Sequence, residues 1–172
     1  MVRFTILFIV VVVTLFTLEL YEPIRQAVIL PFTGHLATFS AFIMQIFDPD
    51  VVSKADVIRS SKTGQAVQIA AGCNGVEAVI VLFAAIFSFP SSFKHKVYGF
   101  VIGFFAIQAL NIVRIISLFY LLQWDKNWFD WFHLYLWQAL IILDALIVWL
   151  IWLRYLPKNN TNQSAAEEPV TT

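Results

Sequence analysis

The sequence predicts an all-α polytopic membrane protein of about five membrane helices, with a small extracytoplasmic β-hairpin before the third. Two observations carry this. Hydrophobic residues make up 60% of the 172 positions and charged residues only 13%, about half the charged share of a soluble domain, roughly 25%. Long apolar stretches are also separated by short polar turns, and mean hydropathy is +0.79. Formal net charge is zero, so no polybasic surface points to nucleic acid as a partner. Aromatic residues reach 16%, six of them Trp, as expected of rings placed at membrane interfaces.

Phe4 to Leu18 is uncharged and rich in Val, Leu and Phe, a first membrane helix. Glu19-Leu20-Tyr21 offers no small-residue cleavage site, so the segment is expected to be retained. Ala27 to Phe47 is long enough to span but is interrupted by Pro31, Gly34, His35 and Gln45. Asp48 to Ala71 is the extended polar stretch. Within it Val51-Val52, Val57-Ile58 and Val67-Gln68-Ile69 read as short strands, and Ser61-Lys62-Thr63-Gly64 supplies turn chemistry between the later two. Together they read as a surface β-hairpin over about residues 50–71 that delivers the chain to Cys73. Ala78 to Phe93, Val97 to Leu122 and Phe132 to Leu153 complete the membrane helices, and Gln123 to Trp131 reads as an interfacial loop. Residues 1–156 form one membrane-embedded domain in this reading, and the polar tail 157–172 is expected to be a disordered cytoplasmic extension.

Basic residues in short loops set topology, which places Lys94, Lys96, Arg154 and Lys158 in the cytoplasm. The N-terminus lies outside if the second segment spans and inside if it rests in the interface. Either way Cys73 at the head of the third helix, Arg114 in the outer half of the fourth and His133 at the head of the fifth fall on the extracytoplasmic face. Cys73 is the single cysteine, which excludes an intrachain disulfide, and no Cys/His spacing suits zinc. A helix N-terminus favours thiolate. His133 can move a proton to and from a thiol. Arg114 keeps its charge and can hold an oxyanion. Asn74 and Asn111 are further candidate donors, while His35 and His95 compete with His133. A charge within an apolar span costs roughly 2.5–3.5 kcal/mol on insertion scales, so Arg114 needs either a function or a partner. Glu77 and Asp144 are the carboxylates that can pair with it. A non-catalytic transport or assembly subunit held by such a buried charge network is therefore the competing reading.

The string Ala70-Ala71-Gly72-Cys73-Asn74-Gly75-Val76-Glu77-Ala78, then Asn111-Ile112-Val113-Arg114-Ile115, then His133, resembles the exosortase/archaeosortase family. The short chain before the Cys motif is similar to the exosortase H subtype. The resemblance implies a Cys73–Arg114–His133 site and no metal or organic cofactor, and the residue reading adds Asn74, Glu77, Asn111 and Asp144 as substrate-binding or supporting candidates. The resemblance also implies a multi-pass protein of a prokaryotic plasma membrane that cleaves a C-terminal sorting signal from exported proteins. The signal would be a short motif, a membrane helix and a basic cluster, and the acceptor a membrane lipid, a glycan or water.

Overall fold

The computed structural model describes residues 2–156, so the tail 157–172 lies outside the described residues. Five helices and a small sheet follow in order: α1 (Val2–Leu20), α2 (Glu22–Gln45), β1 (Val51–Lys54), β2 (Val57–Ser60), β3 (Ala66–Gln68), α3 (Val76–Ser88), α4 (Phe93–Trp124) and α5 (Lys126–Arg154). Among the described residues α1, α2, α4 and α5 are long and apolar enough to cross a membrane, and the protein is a multi-pass membrane protein. By length and composition four of the expected five are long enough to cross, and α3 is a shorter apolar helix. At 13 residues, α3 reaches about 20 Å at 1.5 Å per residue, short of a hydrocarbon core of about 30 Å.

α2 is helical throughout despite Pro31. Proline removes an N–H from the ladder and crowds the carbonyl four residues back. A π turn over Arg25–Ile29, in which the Leu30 N–H reaches the Arg25 carbonyl, precedes the proline and re-phases the backbone around it. The expected interfacial loop is corrected. Asp125 caps a helix through Asn127 N–H at 2.6 Å and Trp128 N–H at 3.3 Å, so Lys126–Trp131 is helical and continuous with the last span. His133 therefore sits within α5, in a π turn over Phe132–Leu136, rather than at a helix start.

The expected hairpin is a three-stranded antiparallel sheet in the order β1-β2-β3, with Val51 opposite Ser60 and Ile58 opposite Val67. One face buries Val51, Ile58 and Ile69 against Ala37, Ala41 and Met44 of α2 and Ile115 and Phe119 of α4. The charged residues Lys54 and Arg59 stay exposed. A second core joins Leu82 and Ile86 of α3, Ile107 of α4, and Ala145 and Trp152 of α5. Cys73 packs against the first core and precedes the helix that builds the second. Lys94, His95 and Lys96, expected in a tight basic turn, instead form the first turn of α4, at the opposite end of α3 from Cys73. Outward faces carry Ile102, Phe105, Ile142 and other exposed apolar side chains, a surface suited to lipid.

Gly99 and Gly103 let α4 approach its neighbours. A Cβ on Gly99 would overlap the Trp152 indole, and one on Gly103 would come within 2.5 Å of Leu82 and 2.8 Å of Val148. The indole is fixed by its Nε1–H donating to the His95 carbonyl at 3.0 Å. Alanine gains about 1 kcal/mol of helix propensity over glycine, but overpacking costs about 1–3 kcal/mol and the rigid ring has little room to yield. Gly99→Ala is therefore expected to lower the melting temperature of the detergent-solubilised protein, and Gly99→Ala combined with Trp152→Ala to fall less than the two single losses added. A melting temperature for Gly99→Ala equal to or above that of the parent would contradict this packing.

Candidate active site

The segment between β3 and α3 turns on two glycines in left-handed backbone conformation, Gly72 at φ 82° and Gly75 at φ 75°, where a side chain would be strained. Gly75 is also crowded, because a Cβ there would meet Gln108 Nε2 at 3.1 Å and Asn111 Nδ2 at 3.3 Å. Cys73 N–H donates to the Ala70 carbonyl at 3.0 Å and closes the turn. Asn74 accepts from Val76 N–H at 3.0 Å and donates to Thr33 Oγ1 of α2 at 3.3 Å. Asn74 thus starts α3 and ties it to α2.

The Gly72 peptide is held from both sides. Its N–H donates to Glu77 Oε1 at 2.5 Å, and its carbonyl accepts from Arg114 Nη1 at 3.0 Å. The second arm of the same guanidinium, Nη2, points at Cys73 Sγ at 3.5 Å. Arg114 is 1% exposed. Among the described residues the ion pairs are Arg25–Glu22 and Lys126–Asp130, so Arg114 is paired with neither Glu77 nor Asp144. The charge-network expectation is corrected on this point. Glu77 is committed to the Gly72 N–H, and Asp144 is half-buried in α5 with no hydrogen bond or ion pair among the described residues. Among the described residues the hydrogen bonds donated by this buried cation go to a carbonyl and a thiol.

Cys73, Arg114 and His133 line one cavity of about 300 Å³, closed by the stretch from Ala66 to Ala71 and by Ile115, Leu118, Leu122 and Phe129. The imidazole stacks on Phe129 with ring centroids 5.5 Å apart and planes 8° off parallel, and its Nδ1 is buried without a hydrogen-bond partner. The competing histidines lie elsewhere. His95 contacts Ser92 at 2.8 Å in the basic turn, and His35 contacts the Pro31 carbonyl at 2.7 Å. His35 lines a larger, open recess of about 760 Å³ whose lining does not include Cys73 or Arg114. Asn74 and Asn111 do not line the Cys73 cavity. Asn111 instead lies against Gly75.

Burial pushes the Cys73 thiol above its ordinary range. The nearby Arg114 charge pulls it down, Glu77 adds to the rise, and burial wins. The expected thiolate at a helix N-terminus is corrected for a geometric reason. The helix starts at Val76, three residues past the thiol, and the dipole acts mainly within the first turn.

Three polar residues near this turn escaped the reading of the sequence. Gln108 is 6% exposed with both amide atoms unpartnered, as are both amide atoms of Asn111. Glu19 of α1 is buried and lies within electrostatic reach of Glu77. Thr33 is buried beneath Asn74. The Gln108, Asn111, Arg114 spacing of three marks one polar stripe on an apolar helix, a signal available in the sequence.

Fold and site together define a polytopic membrane protein with one half-buried thiol beside a guanidinium, in a cavity that an imidazole also lines. The sequence model described as transmembrane exosortase matches residues 1–152. The chain belongs to the transmembrane exosortase family. No curated protein and no solved structure matches it.

The electrostatics of Cys73 can be read from the pH dependence of iodoacetamide labelling of the purified protein. The parent is expected to label with a midpoint above that of a free cysteine, about 8.5. Arg114→Gln should move the midpoint further up, because the cation that lowers it is gone. Glu77→Gln should move it down, because a repelling carboxylate is replaced by a neutral group that can still accept from Gly72. Identical midpoints in all three proteins would show that neither charge acts on the thiol.

Proposed function

We propose that this chain is a membrane cysteine transpeptidase that cuts a C-terminal sorting signal from exported proteins at the extracytoplasmic face and passes the product to an acceptor. The observation that supports it is the unpaired Arg114 guanidinium with one arm on the Cys73 sulfur, in a cavity that His133 also lines. Membership of the exosortase family supports the same chemistry at the level of a cysteine-type peptidase or transpeptidase.

The thiol rests protonated, since burial raises it, so the reaction needs a base as well as a nucleophile. His133 takes the thiol proton as sulfur attacks the scissile carbonyl. The resulting thiolate and then the tetrahedral oxyanion lie beside Arg114, a cation already desolvated and oriented. Collapse expels the C-terminal fragment as an amine that receives the proton from His133, leaving a thioester on Cys73. An acceptor amine or water attacks that thioester, and the thiol returns. Asn74 and Glu77 hold the turn, and Asn111 packs against it. Asp144, which does not line the cavity, has no step here.

The substrate is membrane-tethered in this reading: a short motif, a hydrophobic helix of about 20 residues and a basic cluster that stops transfer. Tethering raises the local concentration of the motif at Cys73.

Coexpression with an exported reporter bearing such a tail, taken from a protein of the same cell, tests the reading. Cys73→Ala is expected to abolish processing while the protein remains in the membrane. Arg114→Gln should slow it about 10²–10³-fold, the loss typical of one oxyanion donor, and His133→Ala about 10²–10⁴-fold, the range of a general base. Undiminished processing by Cys73→Ala would end the transpeptidase reading in favour of a non-catalytic subunit. Topology has its own measurement. Reporter fusions at Ser92 should report cytoplasm and those at Lys126 the exterior, and the reverse pattern would put the cavity on the wrong face for exported substrates.

A further inference from the structure

The sheet ends in an edge that nothing pairs. In the order β1-β2-β3 the outer strands each have one side free of a partner strand, but the two edges differ. On β1, the Val51 carbonyl accepts from Gln45 Nε2 at 2.8 Å, so α2 covers that side. Among the described residues no such bond reaches the outer side of β3, and β3 carries neither the proline nor the charged residues that usually protect an edge.

The phase of the ladder shows which groups are free. Ser60 N–H bonds the Gln65 carbonyl and Ile69 N–H bonds the Asp56 carbonyl, each at 2.9 Å, with Ile58 opposite Val67. Hydrogen-bonded pairs alternate along an antiparallel ladder. Residues 65, 67 and 69 therefore face β2, and the N–H and C=O groups of Ala66 and Gln68 face the other way. Both residues are exposed, and both line the cavity that contains Cys73. The strand runs on through Ala70 and Ala71, which line the same cavity, to the cysteine turn. Bare backbone donors and acceptors in register with a nucleophile match the backbone of an extended peptide better than any side chain or lipid tail.

We propose that the free edge of β3 holds the substrate as a fourth, extended strand, paired to the backbone of Ala66 and Gln68, and leads its scissile bond to Cys73. The proposal rests on reading Cys73 as the nucleophile. It explains how a site with few polar side chains can grip a peptide, since strand pairing uses groups that every peptide carries. Side-chain preference is then left to the apolar wall of Ile115, Leu118 and Leu122.

The probe is acetyl-tetra-alanyl chloromethyl ketone, with iodoacetamide as a reagent that lacks a peptide backbone. In each case the Cys73 sulfur displaces a halide from a methylene carbon, forming a thioether and releasing halide, and the thiol proton passes to a base. The full-length protein is used in detergent, and labelling of Cys73 is followed by mass spectrometry as the ratio of the two rates. Ala66→Pro and Gln68→Pro remove outward N–H groups without touching the ladder to β2, a position where edge strands accept proline. Each is expected to lower the ratio about tenfold, the worth of one or two backbone hydrogen bonds, while iodoacetamide labelling stays unchanged. Ala66→Val, which keeps the N–H, should retain the ratio.

An N-methyl scan of the probe on the unmodified protein decides the matter even if the proline variants fail to accumulate. Methylation at alternate alanines should slow labelling about tenfold, and methylation at the alanines between should not. Equal effects at every position, or none at any, would overturn the proposal. Loss of self-association in Ala66→Pro with unchanged probe kinetics would assign the edge to a second copy of the chain and overturn it likewise. If the alternating pattern holds while Cys73→Ala still processes the reporter, the edge binds peptide and only the transpeptidase reading fails.

Discussion

The Gly72 peptide group, held between the Glu77 carboxylate and the Arg114 guanidinium, is the interaction on which the rest of the arrangement depends. Backbone that leaves the helix in an apolar environment exposes N–H and C=O groups that lipid cannot satisfy, and each costs several kcal/mol if left bare. The cysteine turn is such a backbone. Glu77 takes the Gly72 N–H, Arg114 takes the Gly72 carbonyl, and Asn74 takes the Val76 N–H. These polar side chains are what allow α3 to stop short and leave Cys73 on a loop packed against the sheet core.

The same bonds explain the electrostatics. Glu77 holds the turn but raises the thiol, while Arg114 holds it and lowers the thiol, and burial decides the sum. A neutral resting thiol is a sensible consequence of this geometry. Oxidation proceeds through thiolate, and in the proposed reaction the Arg114 charge lies beside the anion that forms on sulfur.

Much of this was legible in the sequence, for reasons that differ by element. α1, α4 and α5 are evident because lipid demands long charge-free runs, and the order Cys73, Arg114, His133 carried the family resemblance. α3 ends earlier than expected, at Ser88, because the sequence stays apolar through Phe89 although the helix has already stopped. The Trp-rich segment was misread as loop because its aromatic and charged residues look interfacial, although Asp125 ahead of it was a cap in plain view. The third strand was visible in Val67-Gln68-Ile69, but its joining to one sheet was not. The first turn is made by Ala55 at φ 54°, a conformation that sequence ordinarily signals with glycine or asparagine. Arg114 was expected to need a carboxylate, and pairing rules alone could not show that Glu77 is already engaged five residues back along its own chain.

Why arginine stands at position 114, rather than lysine, follows from the two bonds it makes. One guanidinium spans the Gly72 carbonyl at 3.0 Å and the Cys73 sulfur at 3.5 Å through separate nitrogens set at a fixed angle. An ammonium is a single point on a flexible stem and can satisfy one of these at a time. It would also lose its proton more readily when buried, because desolvation lowers a lysine by several units whereas an arginine stays charged. Structure and chemistry therefore ask for the same residue. The arm on the carbonyl makes the turn possible, that bond fixes the plane of the guanidinium, and the fixed plane holds the other arm on sulfur. An oriented cation beside the thiol is thus a by-product of satisfying one peptide group in an apolar setting.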